Sequence, residues 1–259
     1  MLAPLSTNWY ITTMHRFDTY ASRFEIDEHE RVHKVGRHVL ACATNPQIEL
    51  MRQLMDEQPK HLLAPLAIRA VQGEPLHETY PLMGATLAEH KRAIQHQLDD
   101  GKMTAGAIVD MMMQVAEAAA YLHERGLVHH DIRPTNIFYD ETEGQPVLTL
   151  FDYNQVKPPY VQTKPHSSWN REHAPEVAKL GSLIDYRFDV YAIGTVFHEL
   201  THDLIWEPGS DYPEYHIKPA LAQQKDLLEI IATATGPCED RYSNARELHA
   251  ALRAAKPHI

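Results

Sequence analysis

The sequence predicts a mixed α+β protein with a small β-leaning part over residues 1–80 and a larger helical part over residues 85–259. Three observations carry this. Residues 16–26 and 31–44 are rich in extended-chain formers. A Pro/Gly interruption, Tyr80-Pro81-Leu82-Met83-Gly84, follows and reads as a hinge at 81–84. Beyond it, apolar residues recur at the helical spacing.

Taken in order, residues 16–26 and 31–44 read as strands, with a turn signal at Val35-Gly36-Arg37. Residues 48–56 (IELMRQLMD) carry a short helical pattern that Pro59 closes. Residues 105–125 place Ile108, Met111, Met112, Val115, Ala118, Ala119 and Leu122 on one face, with Thr104 as N-cap and Gly126 as the stop. Two apolar runs, 136–139 and 147–151, flank the polar turn 140–145 and predict a hairpin. Further helices are expected at 189–201, 221–234 and 244–255.

Composition narrows the function. The formal charge of −11 argues against a chain that coats nucleic acid. No run of 18 apolar residues is present, so no membrane span is expected. The N-terminal segment lacks the basic and apolar regions of a secretory signal, so a cytoplasmic location is expected. Two cysteines, Cys42 and Cys238, are too few for a disulfide framework.

The segment that carries chemistry is Leu122 to Asp140, LHERGLVHHDIRPTNIFYD. A long helix ends, a loop presents Asp131, Asn136 follows five residues later, and Asp152 appears after the hairpin in LTLFDYN. A carboxylate and a carboxamide on opposite sides of a cleft suit Mg²⁺, which takes a few protein oxygens and completes its shell with phosphate and water. Asp131 is then free to orient or deprotonate a hydroxyl.

At these residues the sequence resembles the protein-kinase superfamily. His129-His130-Asp131-Ile132-Arg133-Pro134-Thr135-Asn136 is similar to the H-R-D-L-x-x-x-N catalytic loop, and Asp152-Tyr153-Asn154 sits where D-F-G belongs. Ala174-Pro175-Glu176 matches A-P-E, Asp189-Val190-Tyr191-Ala192-Ile193-Gly194 resembles the start of the central helix, and Arg241 falls where an arginine pairs with the A-P-E glutamate. The resemblance implies a bilobal kinase fold and ATP- and Mg²⁺-dependent phosphorylation of a protein hydroxyl. Asp131 would be the catalytic base, Arg133 the cation beside the transferring phosphoryl, and Asn136 and Asp152 the metal ligands. Tyr80 and Leu82 would contact the nucleotide at the hinge, Leu82 through its N–H because Pro81 has none.

The first part departs from the family. No glycine precedes Gly36, so the glycine-rich phosphate loop is missing. The best register for the third-strand lysine motif is Val39-Leu40-Ala41-Cys42-Ala43, which puts Ala43 at the lysine position. Lys34 and Arg37 are the nearest basic residues that could substitute for that lysine, a solvent-facing turn being the expectation for both, and Glu49 or a neighbour is the candidate for the helix glutamate that pairs with the lysine. His130 stands where the family arginine receives an activation-segment phosphate, so control through Thr163, Ser167 or Ser168 is not expected. Two other readings stay open. One is a pseudokinase that serves as a binding module. The other is zinc proteolysis through His198-Glu199-Leu200-Thr201-His202, an H-E-x-x-H pattern.

Overall fold

The structure, a computed structural model, describes residues 16–18, 22–40, 45–162, 174–178, 183–205 and 214–256. Strands β1 (Arg16–Asp18), β2 (Ser22–Ile26), β3 (Arg31–Val39), β4 (Ala67–Arg69) and β5 (Pro75–Pro81) form an antiparallel sheet in the order β1-β2-β3-β5-β4. The turn expected at Gly36 does not form there. Gly36 lies inside β3, and the break in pairing with β5 between Val35 and Val39 absorbs the irregularity. Strand β5 alternates strictly, with Leu76, Glu78 and Tyr80 on the buried face.

Helix α1 (Pro46–Glu57) starts two residues before the predicted segment because Asn45 caps it and Pro46 supplies a preset φ at its first position. The Asn45 side chain accepts from the Ile48 N–H at 2.9 Å. Its face of Ile48, Leu50, Met51 and Leu54 is fully buried. The sequence reading had no helix at α2 (Leu87–Asp99), where polar residues blur the period. A capping box in which Glu89 bonds the Thr86 N–H at 2.7 Å opens it.

Helix α3 (Ala105–His123) is the buried axis of the larger part, and its Thr104 cap is as predicted. The β6 (Ile137–Thr142) and β7 (Gln145–Leu150) hairpin is longer than expected, because Glu143 and Gly144 alone make the turn at φ 53° and 75°. Short pairs β8 (Val161–Gln162) with β9 (Leu183–Ile184) and β10 (His202–Ile205) with β11 (Glu214–Ile217) flank α4 (Arg187–Thr201). Helices α5 (Lys225–Thr235) and α6 (Ala245–Ala255) complete the fold; residues 219–221 form a separate 3-10 turn, so α5 begins later than predicted. A Cβ on Gly194 would sit 2.7 Å from Thr235 Cγ2, so this glycine lets α4 and α5 approach.

One apolar core runs from α1 through α3 to α4, α5 and α6. A second cluster, Phe24, Val32, Leu63, Tyr80 and Phe138, joins the sheet to the hairpin, with Leu82, Met83 and Phe151 packed against it. Sheet and helical part therefore meet at a line where β5 and the hairpin come together. No described helix is long and apolar enough to cross a membrane.

Candidate active site

The loop between α3 and β6 is held from below. Asp189, wholly buried at the start of α4, accepts from the His129 N–H at 2.7 Å and the His130 N–H at 3.0 Å. His123 Nε2 donates to the same carboxylate at 3.0 Å, while its Nδ1 accepts from the Ala245 N–H at 3.1 Å. Burial pushes the Asp189 carboxyl up, but the His123 hydrogen bond together with the charge interactions of His123, His129 and His130 outweighs it and holds the group below the usual carboxylate value. His129 Nδ1 accepts from the Asp131 N–H at 3.3 Å, and its Nε2 donates to the Phe151 carbonyl at 3.2 Å. The imidazole thus ties the Asp131 loop to the end of the hairpin.

The structure brings the four predicted loop residues together. Asn136 Nδ2 donates to Asp131 Oδ2 and to the Asp131 carbonyl, both at 2.8 Å. Arg133 Nε stands 3.5 Å from Asp131 Oδ1. The Phe151 N–H donates to the Asn136 carbonyl at 3.0 Å, which sets Asp152 beside Asn136. Burial raises the Asp131 carboxyl above its ordinary value, with Arg133 and His129 opposing. Asp152 adopts the left-handed conformation at φ 65°, ψ 77°, an uncommon state for a non-glycine residue that the surroundings must hold.

What holds it is Lys34. Its Nζ donates to Asp152 Oδ1 and Asn154 Oδ1, each at 3.2 Å, and pairs with Glu78 Oε2 at 3.3 Å. The expectation of a solvent-facing turn is wrong for Lys34. It is 6% exposed and lies on β3 directly across from Glu78 on β5. Burial alone would lower the Lys34 ammonium, but Asp152 and Glu78 outweigh it and raise the value. Burial pushes Asp152 up, Lys34 pulls it down further, and the carboxyl ends below its ordinary value.

Comparison with known proteins agrees with this geometry. The family model of the protein kinase domain matches residues 77–250. The chain belongs to the protein kinase family. It is 28% identical over 176 residues to the serine/threonine-protein kinase Pkn1 of Myxococcus xanthus, covering 59% of this chain and 24% of the relative. It is 29% identical over 191 residues to the serine/threonine-protein kinase PknB of Mycobacterium leprae, covering 65% of this chain and 28% of the relative. The chain thus spans about a quarter of the length of these curated relatives. The solved structure of the Cydia pomonella granulovirus kinase, PK-1, superposes with a TM-score of 0.63 at 18% identity, over 92% of this chain and 93% of that one. The family match begins at residue 77, so Lys34 lies outside it.

Several expectations drawn from the kinase pattern need correction. Ala43, proposed at the lysine position, lies outside the described residues, and Lys34 supplies a buried cation at Asp152. Glu49 is not the partner of that lysine. Its side chain is 52% exposed and pairs with Arg52 at 2.9 Å within α1. The Leu82 N–H, expected at the nucleotide, donates to the Glu30 carbonyl at 3.0 Å, because the β2–β3 turn reaches the hinge. The Tyr80 hydroxyl donates to Glu78 Oε1 at 2.9 Å from inside the apolar cluster. The Leu82 N–H and the Tyr80 hydroxyl thus both have partners within the protein.

Other kinase features stand as read. Arg241 forks onto Glu176, Nη1 to Oε1 at 2.6 Å and Nη2 to Oε2 at 3.0 Å. His130 packs its ring on Phe188 at 5.4 Å, and burial lowers it to about 4, so it is uncharged at neutral pH. Thr163, Ser167 and Ser168 lie outside the described residues. The zinc reading fails on geometry. His198 and His202 stack face to face at 3.9 Å and 8°, so their in-plane lone pairs run parallel rather than converging. Glu199 is paired with Lys91 at 2.7 Å. Among the described residues no group of three or more His, Cys, Asp or Glu side chains is placed to hold a metal.

The donor set, one carboxylate and one carboxamide oxygen, fits Mg²⁺ in the kinase manner. Asn136 turns its amide nitrogen to Asp131, which directs Oδ1 the other way as an acceptor. Asp152 stays ionised beside Lys34, with 30% of its side chain exposed. Glu78 is absent from the sequence analysis, and Asp189 enters it only as the first residue of the central-helix motif, without its hold on the Asp131 loop. Glu78 left one signal: a carboxylate between Leu76 and Tyr80 on the buried face of a strand requires a buried cation.

Proposed function

We propose that the chain is an ATP- and Mg²⁺-dependent kinase that phosphorylates a hydroxyl on a protein substrate, with serine or threonine as the acceptor. The observation that carries this reading is Lys34 Nζ at 3.2 Å from Asp152 Oδ1, next to the bonded pair Asp131 and Asn136. One cation for the nucleotide phosphates, two metal-holding oxygens and one carboxylate for the incoming hydroxyl are the parts that phosphoryl transfer needs.

In this reading residues 1–80 are the small lobe, 81–84 the hinge and 85–259 the large lobe. Asn136 and Asp152 hold Mg²⁺, which supplies charge neutralisation on the phosphates. Lys34, kept in place by Glu78, turns its ammonium from Asp152 to the nucleotide phosphates. Val32, Leu82 and Phe138, members or neighbours of one apolar cluster, give the purine its flanking surfaces. Asp131 orients the acceptor hydroxyl and takes its proton, and Arg133 offsets charge on the transferring group. A cytoplasmic location, expected from the sequence, suits a reaction that consumes ATP.

The test is mass spectrometry of candidate substrates and of the chain itself after incubation with Mg·ATP, comparing wild type with Asp131→Ala. Phosphate added by wild type and not by the variant supports the kinase. The pseudokinase reading draws on one observation, the Leu82 N–H already bonded to Glu30, which removes a nucleotide donor. ATP binding with no transfer under any metal condition would favour it.

A further inference from the structure

Protein kinases set their third-strand lysine with a glutamate on the adjacent helix, and rotation of that helix makes or breaks the pair. Here the helix carboxylate is elsewhere: Glu49 is exposed and bonded to Arg52. The carboxylate against Lys34 comes from the sheet. We infer that Glu78 on β5 is the positioning residue for Lys34, so that the phosphate-binding cation is aligned by the sheet and not by the orientation of α1. The inference rests on the kinase reading of Lys34 given above.

Four observations support it. Lys34 and Glu78 are directly opposed in the β3–β5 register, so the backbone ladder fixes their separation. Both side chains are buried, at 8% and 2% exposure, and Nζ lies 3.3 Å from Oε2. Glu78 Oε1 takes the Tyr80 hydroxyl at 2.9 Å, so each carboxylate oxygen has a partner and the group is held on both sides. Helix α1 reaches the site through a neutral contact, Gln47 Nε2 donating to Asn154 Oδ1 at 3.1 Å. A small rotation of α1 would break no described ion pair of Lys34.

The experiment is a double-mutant cycle on the full chain, read by Mg·ATP titration and, without nucleotide, by thermal unfolding. The variants are Lys34→Met, Glu78→Gln, Glu78→Asp and Glu49→Gln, with Lys34→Met also combined with Glu78→Gln and with Glu49→Gln. Glu78→Gln should weaken Mg·ATP binding about 10-fold or more, the loss expected of a buried charge-assisted contact. It should add little in the Lys34→Met background, because Glu78 acts through the lysine. Glu78→Asp should recover part of the loss, and Glu49→Gln should stay within about twofold of wild type. Thermal unfolding should show the same coupling between positions 34 and 78 and none between 34 and 49.

The inference falls if Glu49→Gln costs as much as Glu78→Gln was expected to, or if Glu78→Gln and Lys34→Met add independently. It also falls if Lys34→Met weakens binding while Glu78→Gln is silent. Should Glu78→Gln not fold, the Glu78→Asp and Glu49→Gln variants still decide, since a tenfold loss in Glu49→Gln alone overturns the inference. Lys34→Met with wild-type affinity would instead overturn the kinase reading of Lys34, and the nucleotide-free coupling would still show whether Glu78 holds it.

Discussion

Asp189 grips the backbone of His129 from sixty residues further along the chain, its Oδ2 2.7 Å from the His129 N–H. Its Oδ1 takes the next N–H, that of His130, so one carboxylate fixes two successive peptide groups of the loop that presents Asp131. The His130 backbone is held at φ 70°, which this double anchor maintains. Removing it strands His123 and two buried N–H groups together. Asp189→Ala is expected to cost about 3–5 kcal/mol in urea unfolding, the range for stranding the partners of a buried charge. The pH dependence has a definite sign. The native carboxyl lies below its ordinary value, so its contribution is complete above about pH 4 and is lost as pH falls through the native value. Wild-type stability should therefore drop more steeply than that of Asp189→Asn below pH 4.

Arg241 is almost wholly buried, and its two-pronged contact with Glu176 joins the activation segment to the connection before α6. Arg241→Ala should lower Tm by roughly 6–20 °C, from a loss of about 3–5 kcal/mol spread over a domain of this size. Arg241→Lys should recover little, because an ammonium cannot make the fork. A Tm within a degree of wild type in Arg241→Ala would mean that the pair contributes nothing.

Asp131→Asn is expected to lower phosphotransfer by about 10²–10⁴ with an unchanged far-UV spectrum. Burial holds the Asp131 carboxyl above its ordinary value. As the base must be ionised, kcat/KM should rise with pH through a midpoint above about 3.9, and that limb should vanish in the variant. The same acid limb persisting in Asp131→Asn would assign the titration to another group.

Activity should be independent of phosphate on the activation segment. His130 replaces the arginine fork, is buried against Phe188 and is held neutral, with its value near 4. A chain with Thr163, Ser167 and Ser168 all changed to alanine should retain activity within a few-fold. Abolished activity, restored by glutamate at one of these positions, would show that a cation elsewhere reads the phosphate.

Much of the site was legible because it lies within one stretch of chain. Asp131, Arg133 and Asn136 occupy six consecutive positions, and the hairpin that brings Asp152 back is short and strongly patterned, so spacing alone implies their meeting. The Glu176–Arg241 pair is distant but carried by recognisable motifs. Lys34 was legible only as one of two nearby cations that could stand in for the missing lysine, with a solvent-facing turn preferred. The β3 segment RVHKVGRHV offers a second register, with Lys34 nine positions before Ala43, and Gly36 reads as a turn between them. The bond from the Leu82 N–H to Glu30 was not legible, because the sequence does not tell which N–H the β2–β3 turn will use.

By itself the sequence determined that strands come first and helices after, the closeness of Asp131, Arg133 and Asn136 in one loop, and the lack of any glycine before Gly36. These depend on local propensity, on periodicity and on residues close in the chain. Tertiary structure alone decided which cation meets Asp152 and which carboxylate meets that cation. Strand pairing decided it. In a sheet a slip of one residue turns every side chain to the opposite face, so only the register that buries Val32 beside Tyr80 also sets Lys34 across from Glu78.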